Sequence, residues 1–376
     1  MSQHVVVLGA GFGGLELAAC LSESGEDVRV TLLDQADGFT FGFSKLDVMM
    51  GKSSPAEVQL DYRELDIDGV EFRRERVTAI DPERRRVTSD QGAYDADVLV
   101  VALGADYDFD ATPGFKEGGY EYYSPAGAER LSQALPSIDS GRVVIAIMGH
   151  PFKCPPAPFE GALLIHDMLV DKGVRSNVVI ETIGPISAPV PITPEVSSAF
   201  ARALAERDIA YLANRQVVSV DADAGELRLE TGDAVPYDFL IGIPVHRVPE
   251  VVESSGLAVD GWVPVDKENL RTRFPGVYAL GDVAGTGVPK AGVFAEEAAQ
   301  VVAADIVAEL RGETLARRYE GAGHCYLEFG QGGVARVDAN FLGGPERTAE
   351  LLGPSRDLAA EKGQFGAVRK ARWFGG

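Results

Sequence analysis

The chain has 376 residues, 45% apolar and 24% charged, a soluble globular composition with length for two or three domains or one large α/β unit. Its 57 acidic and 35 basic residues give a formal charge of -22, and only nine of the basic residues are lysine. That balance counts against nucleic acid as a partner, which calls for clustered Lys and Arg; it suits a high-salt cytoplasm or an ordinary acidic enzyme.

In chain order, Val5-Val6-Val7-Leu8 predicts a first strand, entered from Met1-Ser2-Gln3-His4 without a basic region or cleavage site, so no secretory leader is expected. Gly9-Ala10-Gly11-Phe12-Gly13-Gly14 follows, then a helical pattern from Leu15 to Leu21 ending near Ser24-Gly25. A second strand, Val28 to Leu33, ends in Asp34. This is a βαβ opening with G-x-G-x-x-G at Gly9, Gly11 and Gly14 and an acid 20 positions beyond the last glycine. Gly9 allows the tight turn, Gly11 leaves no Cβ where a pyrophosphate approaches, and Gly14 lets helix and strand pack closely. The helix N-terminus offers unpaired N–H groups to phosphates, and Asp34 accepts hydrogen bonds from ribose hydroxyls. Strand, glycines, helix, strand and acid in this order predict a dinucleotide site.

Tyr94 to Gly104 reads as a buried strand ending in a small-residue turn. Val143 to Met148 predicts another strand, and the loop after it, Gly149 to Glu160, carries four prolines and Cys154 but no second or third glycine. Proline removes backbone donors, so this loop cannot form the same N–H cradle. The next strand, Asn177 to Ile183, ends in Gly184-Pro185 without a ribose-binding acid. Further on, Val277-Tyr278-Ala279-Leu280 predicts a strand ending in Gly281-Asp282, and a helix begins near Pro289-Lys290 and runs to about Leu310.

Three cysteines are too few for a disulfide framework, which points to an intracellular chain whose Cys pair is redox-active rather than structural. Cys20 falls among apolar residues of the first helix and reads as packing. Cys154 and Cys325 stand in loop-like surroundings 171 positions apart, so the fold must bring them together, with Cα atoms within about 7 Å for a disulfide. Lys153 and His324, beside them, are candidates for lowering thiol pKa values, although adjacent residues often point apart. Glu160 is a candidate proton acceptor or a plain helix-start acid. His150, His166 and His246 lack metal-ligand spacing, and no metal is assigned. No window reaches the roughly 18 apolar residues of a membrane span, so any membrane role is peripheral.

Together, the Gly9–Gly14 loop, the Tyr94–Gly104 strand and the Thr272–Asp282 segment resemble the two-dinucleotide-domain FAD flavoproteins. These include disulfide reductases, type II NADH dehydrogenases and sulfide:quinone oxidoreductases. The Lys153-Cys154-Pro155-Pro156-Ala157-Pro158-Phe159-Glu160 and Gly323-His324-Cys325-Tyr326 segments are similar to the redox-cysteine loops of the sulfide:quinone oxidoreductases and of the flavocytochrome c sulfide dehydrogenase flavin subunits. The resemblance implies an α/β fold with two Rossmann-like domains and a short C-terminal segment. The FAD domain is expected over 1–110 and 255–320, a degenerate NAD-type domain lacking its nicotinamide site over 111–254, and a Cys325-bearing segment over 321–376. It implies FAD held by Gly9, Gly11, Gly14, Asp34, Ala102, Gly104, Gly281, Asp282 and Lys290, with Asp282 on the ribitol chain. The N-terminus of the helix after Lys290 faces the flavin pyrimidine ring; Lys290 adds a full charge there or is merely solvated.

The implied chemistry is oxidation of sulfide, or a related sulfur donor, through Cys154 and Cys325. Cys325 lies nearer the flavin, Cys154 carries the persulfide, and two electrons pass through FAD to a quinone. A third functional cysteine found in many such enzymes is missing between residues 20 and 154. Alternatives are a type II NADH:quinone dehydrogenase, a flavin subunit donating to a cytochrome partner, and an FAD redox-sensing module without turnover. The chain is expected in the cytoplasm, free or peripheral on the inner face of the membrane. The stretch from Glu361 to Phe374, locally basic with Phe365, Trp373 and Phe374, suits an interfacial segment or a helix docked on its own protein. Phe329 and Phe341 line a quinone pocket or, preferably, fill core.

Overall fold

A computed structural model describes residues 2–314 and 317–375. The first sheet is wholly parallel, in the order Val277–Ala279, Val98–Val101, Gln3–Leu8, Val28–Asp34, Val70–Arg74. Its central strands have no polar alternation because helices and loops cover both faces, and Val5, Val6, Val7 and Leu8 are all 0% exposed. The chain leaves the Gln3–Leu8 strand toward one edge and returns on its other side at Val98–Val101, which makes the switch in strand order where α/β sheets bind ligands.

A second parallel sheet repeats the plan in the order Ile209–Leu212, Val178–Ile183, Gly141–Ile147, Phe239–Ile243. Each sheet receives its returning strand from a three-stranded antiparallel meander, Val77–Asp95 in the first case and Val217–Pro236 in the second. The Tyr94–Gly104 segment is therefore two strands, Ala93–Asp95 in the meander and Val98–Val101 in the sheet, with a break at Ala96-Asp97. Pairing of Asp106–Asp108 with Val245–Arg247 ties the two halves together.

The C-terminal part is an antiparallel sheet, Ala322–Glu328, Val334–Asn340 and Thr348–Ser355, followed by a helix over Arg356–Phe374. Of the two readings of this tail, the docked helix is the one found. Phe365, Trp373 and Phe374 are 8%, 0% and 7% exposed, and Trp373 packs edge-on to Phe12 and Phe39. The basic residues are paired as well: Arg372 with Glu16 and Glu23, Arg369 with Glu296. The aromatic face that suited lipid is thus turned inward, leaving Val368 and Lys370 outward. No helix among the described residues is long and apolar enough to cross a membrane. Phe329 fills core against Phe200. Cys20 is not a purely apolar packing residue: its thiol donates to Glu16 Oε1 at 3.5 Å and lies 3.7 Å from Arg372 Nη2.

Candidate active site

The carboxyl ends of the Gln3–Leu8, Val98–Val101 and Val277–Ala279 strands open onto a cavity of about 1150 Å³, with Gly9, Asp34, Ala102, Gly104 and Asp282 in its wall. The glycine loop is shaped by contact. A Cβ on Gly14 would sit 1.9 Å from the Gly9 carbonyl oxygen, and one on Gly9, whose φ is +100°, would sit 2.4 Å from that of Ala102. Gly11 has nothing within 4 Å of a Cβ, so this position keeps space open. Asp34 accepts the N–H groups of Ala10 at 2.7 Å and Ala36 at 2.8 Å, which fixes its carboxylate at the rim.

Three helices begin at this cavity: Phe12–Glu23, Ala157–Asp171 and Gly292–Arg311. Their N-cap residues, Gly11, Pro156 and Ala291, make no side-chain capping bond. The Phe12–Glu23 and Gly292–Arg311 helices offer first-turn N–H groups to an anion, whereas Ala157–Asp171 offers only its dipole end, because Pro158 has no N–H and those of Ala157, Phe159 and Glu160 are bonded to the Cys154 and Pro156 carbonyls. Three of the nine lysines, Lys45, Lys153 and Lys290, line the same space in a chain of charge -22. Lys290 is not a solvated helix-start residue. It is 7% exposed, donates to the Asp282 carbonyl and lies 3.3 Å from the Trp262 ring centroid. Burial lowers its pKa to about 8, against the opposing pull of Asp282. Burial also raises the Asp282 carboxyl, which Lys153, Lys290 and Lys45 hold down in part.

The proline-rich loop turns directly into a helix. Pro156 is its N-cap and Pro158 lies in its first turn, where a missing N–H costs nothing. Cys154 sits in that loop at φ +50°, a left-handed conformation sparsely populated by non-glycine residues. It is pinned there because its N–H donates to the Lys290 carbonyl at 2.8 Å and its carbonyl accepts the Ala157 N–H at 2.9 Å. Cys325 lies on the Ala322–Glu328 strand, and both cysteines line the cavity as free thiols. Burial raises the Cys154 thiol, with Glu160 and Cys325 adding to the shift; burial and Glu160 push Cys325 up to about 12.

The expected acidification of the thiols by their sequence neighbours is absent. Lys153 donates to the Ala105 carbonyl at 2.8 Å and covers the Tyr107 ring, while the His324 ring packs against Tyr326 and Phe365. On a strand, successive side chains take opposite faces, which turns His324 away from Cys325. The cation nearby that lowers the Cys154 thiol is Lys45, which no motif marks. Glu160 is a helix-start acid, but a buried one. It is 3% exposed, accepts the Glu328 N–H at 2.7 Å and is raised by burial to about 7, while that N–H and Lys362 oppose the shift. Phe341 lines the cavity and packs edge-on to Phe294. Sequence reasoning gave no role at the site to Lys45, Trp262, Glu328 and Lys362: Lys45 and Trp262 belong to no motif, and nothing in the Cys325 segment or the basic terminal stretch shows that Glu328 of the one pairs with Lys362 of the other. Among the described residues no group of three or more His, Cys, Asp or Glu side chains is arranged for a metal ion.

A profile of the pyridine nucleotide-disulphide oxidoreductase family matches residues 3–149 and 162–304. The sulfide-quinone reductase of Aquifex aeolicus (strain VF5) is 28% identical, with 91% of this chain and 83% of that protein covered. Demethylphylloquinone reductase NdbB of Synechocystis sp. is also 28% identical, with 74% and 71% covered. The crystal structure of the Aquifex aeolicus sulfide:quinone oxidoreductase has the same fold, with a TM-score of 0.86 at 24% identity over 98% of this chain and 91% of that one. With the profile matching most of its length, the chain belongs to the pyridine nucleotide-disulphide oxidoreductase family and is an FAD-dependent oxidoreductase.

Proposed function

We propose that this enzyme oxidises sulfide or a related small sulfur donor at Cys154 and Cys325 and delivers two electrons through FAD to a quinone. One observation carries the proposal: both thiols and the buried Glu160 line the same cavity as the glycine loop and Asp282. The open position at Gly11 and the uncapped N-terminus of the Phe12–Glu23 helix fit a pyrophosphate. In this reading Gly9 and Gly11 border the pyrophosphate, Gly14 lets the helix pack closely enough to present its N-terminus to it, and Asp34 takes the adenosine ribose. Ala102, Gly104 and Gly281 border the cofactor, Asp282 takes its ribitol chain, and Lys290 with the Gly292–Arg311 N-terminus faces the ring.

In the oxidised state a Cys154–Cys325 bridge is the electrophile. HS⁻ attacks one sulfur, a new S–S bond forms to the incoming sulfur, and the old bridge bond breaks with its electron pair left on the released thiolate. Loss of two electrons and one proton then joins persulfide and thiolate through the added sulfur. FAD, when bound, supplies the two-electron sink. Because burial disfavours both thiolates, the pair needs a local proton acceptor; in this reading it is Glu160, raised to about 7 and lining the same cavity.

The Pro-started helix at Cys154 argues against a nicotinamide cradle in the second sheet and so against NADH as donor. Quinones partition into lipid, so the enzyme meets the membrane surface from the cytoplasmic side. With the aromatics docked, the outer face of the C-terminal helix around Val368 and Lys370 is the part of the tail left to touch it. The test is steady-state reduction of decyl-ubiquinone by sulfide. Cys154→Ser and Cys325→Ser are each expected to lose at least about 100-fold in kcat, whereas Cys20→Ser keeps wild-type turnover. Undiminished turnover in both active-cysteine variants contradicts the proposal.

A further inference from the structure

Among the described residues the Glu160 carboxylate has one protein hydrogen bond, from the backbone N–H of Glu328 at 2.7 Å. Glu328 closes the strand that carries Cys325. Its side chain is ion-paired with Lys362 of the C-terminal helix, whose own side chain is only 10% exposed and lies over the Phe43 ring. A connected line thus runs from the C-terminal helix, through a shielded ion pair and a strand N–H, to a carboxyl that lines the same cavity as both thiols. A buried ion pair gives little stability over apolar residues of the same volume. Its field, however, is poorly screened and acts strongly on a neighbouring carboxyl.

We propose that Glu328 and Lys362 are positioning residues for the reaction at the two cysteines. The Glu328 N–H fixes the Glu160 carboxyl, and the Glu328–Lys362 pair sets the pH at which Glu160 gives up its proton. This rests on the reading of Glu160 as the thiols' proton acceptor. The titratable groups acting on Glu160 or feeling its charge are Cys154 on the preceding loop, Tyr122 and Tyr123, Cys325 and Glu328 on the strand, and Lys362 on the C-terminal helix. Burial keeps the two phenols and the two thiols protonated near neutral pH, which leaves the ion pair as the source of charge. Its two members pull in opposite senses: Lys362 favours ionised Glu160, and Glu328 disfavours it.

The test uses the reduced holoenzyme. Alkylation rates of Cys154 and Cys325 by iodoacetamide are followed against pH by mass spectrometry, alongside the infrared carbonyl stretch of protonated Glu160. Both readouts are expected to titrate near pH 7 in the wild type. Lys362→Met should move the midpoint up by about one unit and Glu328→Gln should move it down by about one unit. The double variant, which leaves no unpaired buried charge, should return it toward the wild-type value and gives a folded reference if a single variant is unstable. Unmoved midpoints in the single variants, or in the double variant a midpoint no nearer the wild type than either, overturn the inference. If Glu160→Gln itself leaves the alkylation profile unchanged, the reading of Glu160 as acceptor fails instead.

Discussion

Glu160 shows how one buried side chain links chemistry to stability. Its pKa rises from 4.5 to about 7 on folding, so the folded chain binds this proton more tightly than the unfolded chain does. Ionised Glu160 therefore costs folding free energy above pH 7, and the cost falls away as pH drops from 7 toward 4.5. The cost at pH 8 is on the order of 3 kcal/mol. Glu160→Gln keeps an oxygen to accept the Glu328 N–H and removes the charge. Thermal melts should show the variant more stable than wild type at pH 8 and close to it at pH 4.5. An equal difference at both pH values would contradict the assignment. Enzymes commonly carry such destabilising groups where the chemistry needs them. The left-handed Cys154 is a second local cost, held by its bond to the Lys290 carbonyl.

Among the elements, the C-terminal helix depends on a contact far away in sequence. Glu16, on the helix that opens at the glycine loop, is 2% exposed and accepts from Arg372 Nε at 2.8 Å, Trp373 Nε1 at 3.1 Å and Gln300 Nε2 at 3.0 Å. Removing that carboxylate strands these three donors, one of them charged, and the Cys20 thiol as well. Glu16→Ala should lower stability by roughly 2–4 kcal/mol and speed amide exchange across 356–374, while Glu16→Gln should do less. Unchanged exchange in that helix would show that Glu16 does not hold it. The strand–glycine–helix–strand opening was legible because local spacing alone specifies it, and the Gly292–Arg311 helix because its pattern runs unbroken. The meanders were not, since strands as short as Ala93–Asp95 have too few residues to alternate visibly. The direction of the terminal helix was equally hidden, because Glu16 and Arg372 lie 356 positions apart.

For the molecule as a whole, charge and cavity oppose each other. The chain as a whole is strongly acidic, yet the cavity wall is near balance, with Lys45, Arg76, Lys153, Lys290 and Arg347 facing six carboxyl side chains, and three helix N-termini add their positive dipole ends. Sequence motifs led to Cys154, Glu160, Asp282, Lys290 and Cys325, and all five line that space. What the motifs missed, Lys45, Trp262 and the Glu328–Lys362 pair, arrives by tertiary packing, the pair by joining the Cys325 strand to the C-terminal helix 34 positions on. The central claim is that this cavity takes electrons from a sulfur donor and not from a nicotinamide. Anaerobic stopped-flow reduction of the FAD-loaded enzyme, followed at the flavin absorbance band, tests it most directly. The account predicts rapid bleaching by sulfide and none by NADH; rapid bleaching by NADH with none by sulfide would contradict it.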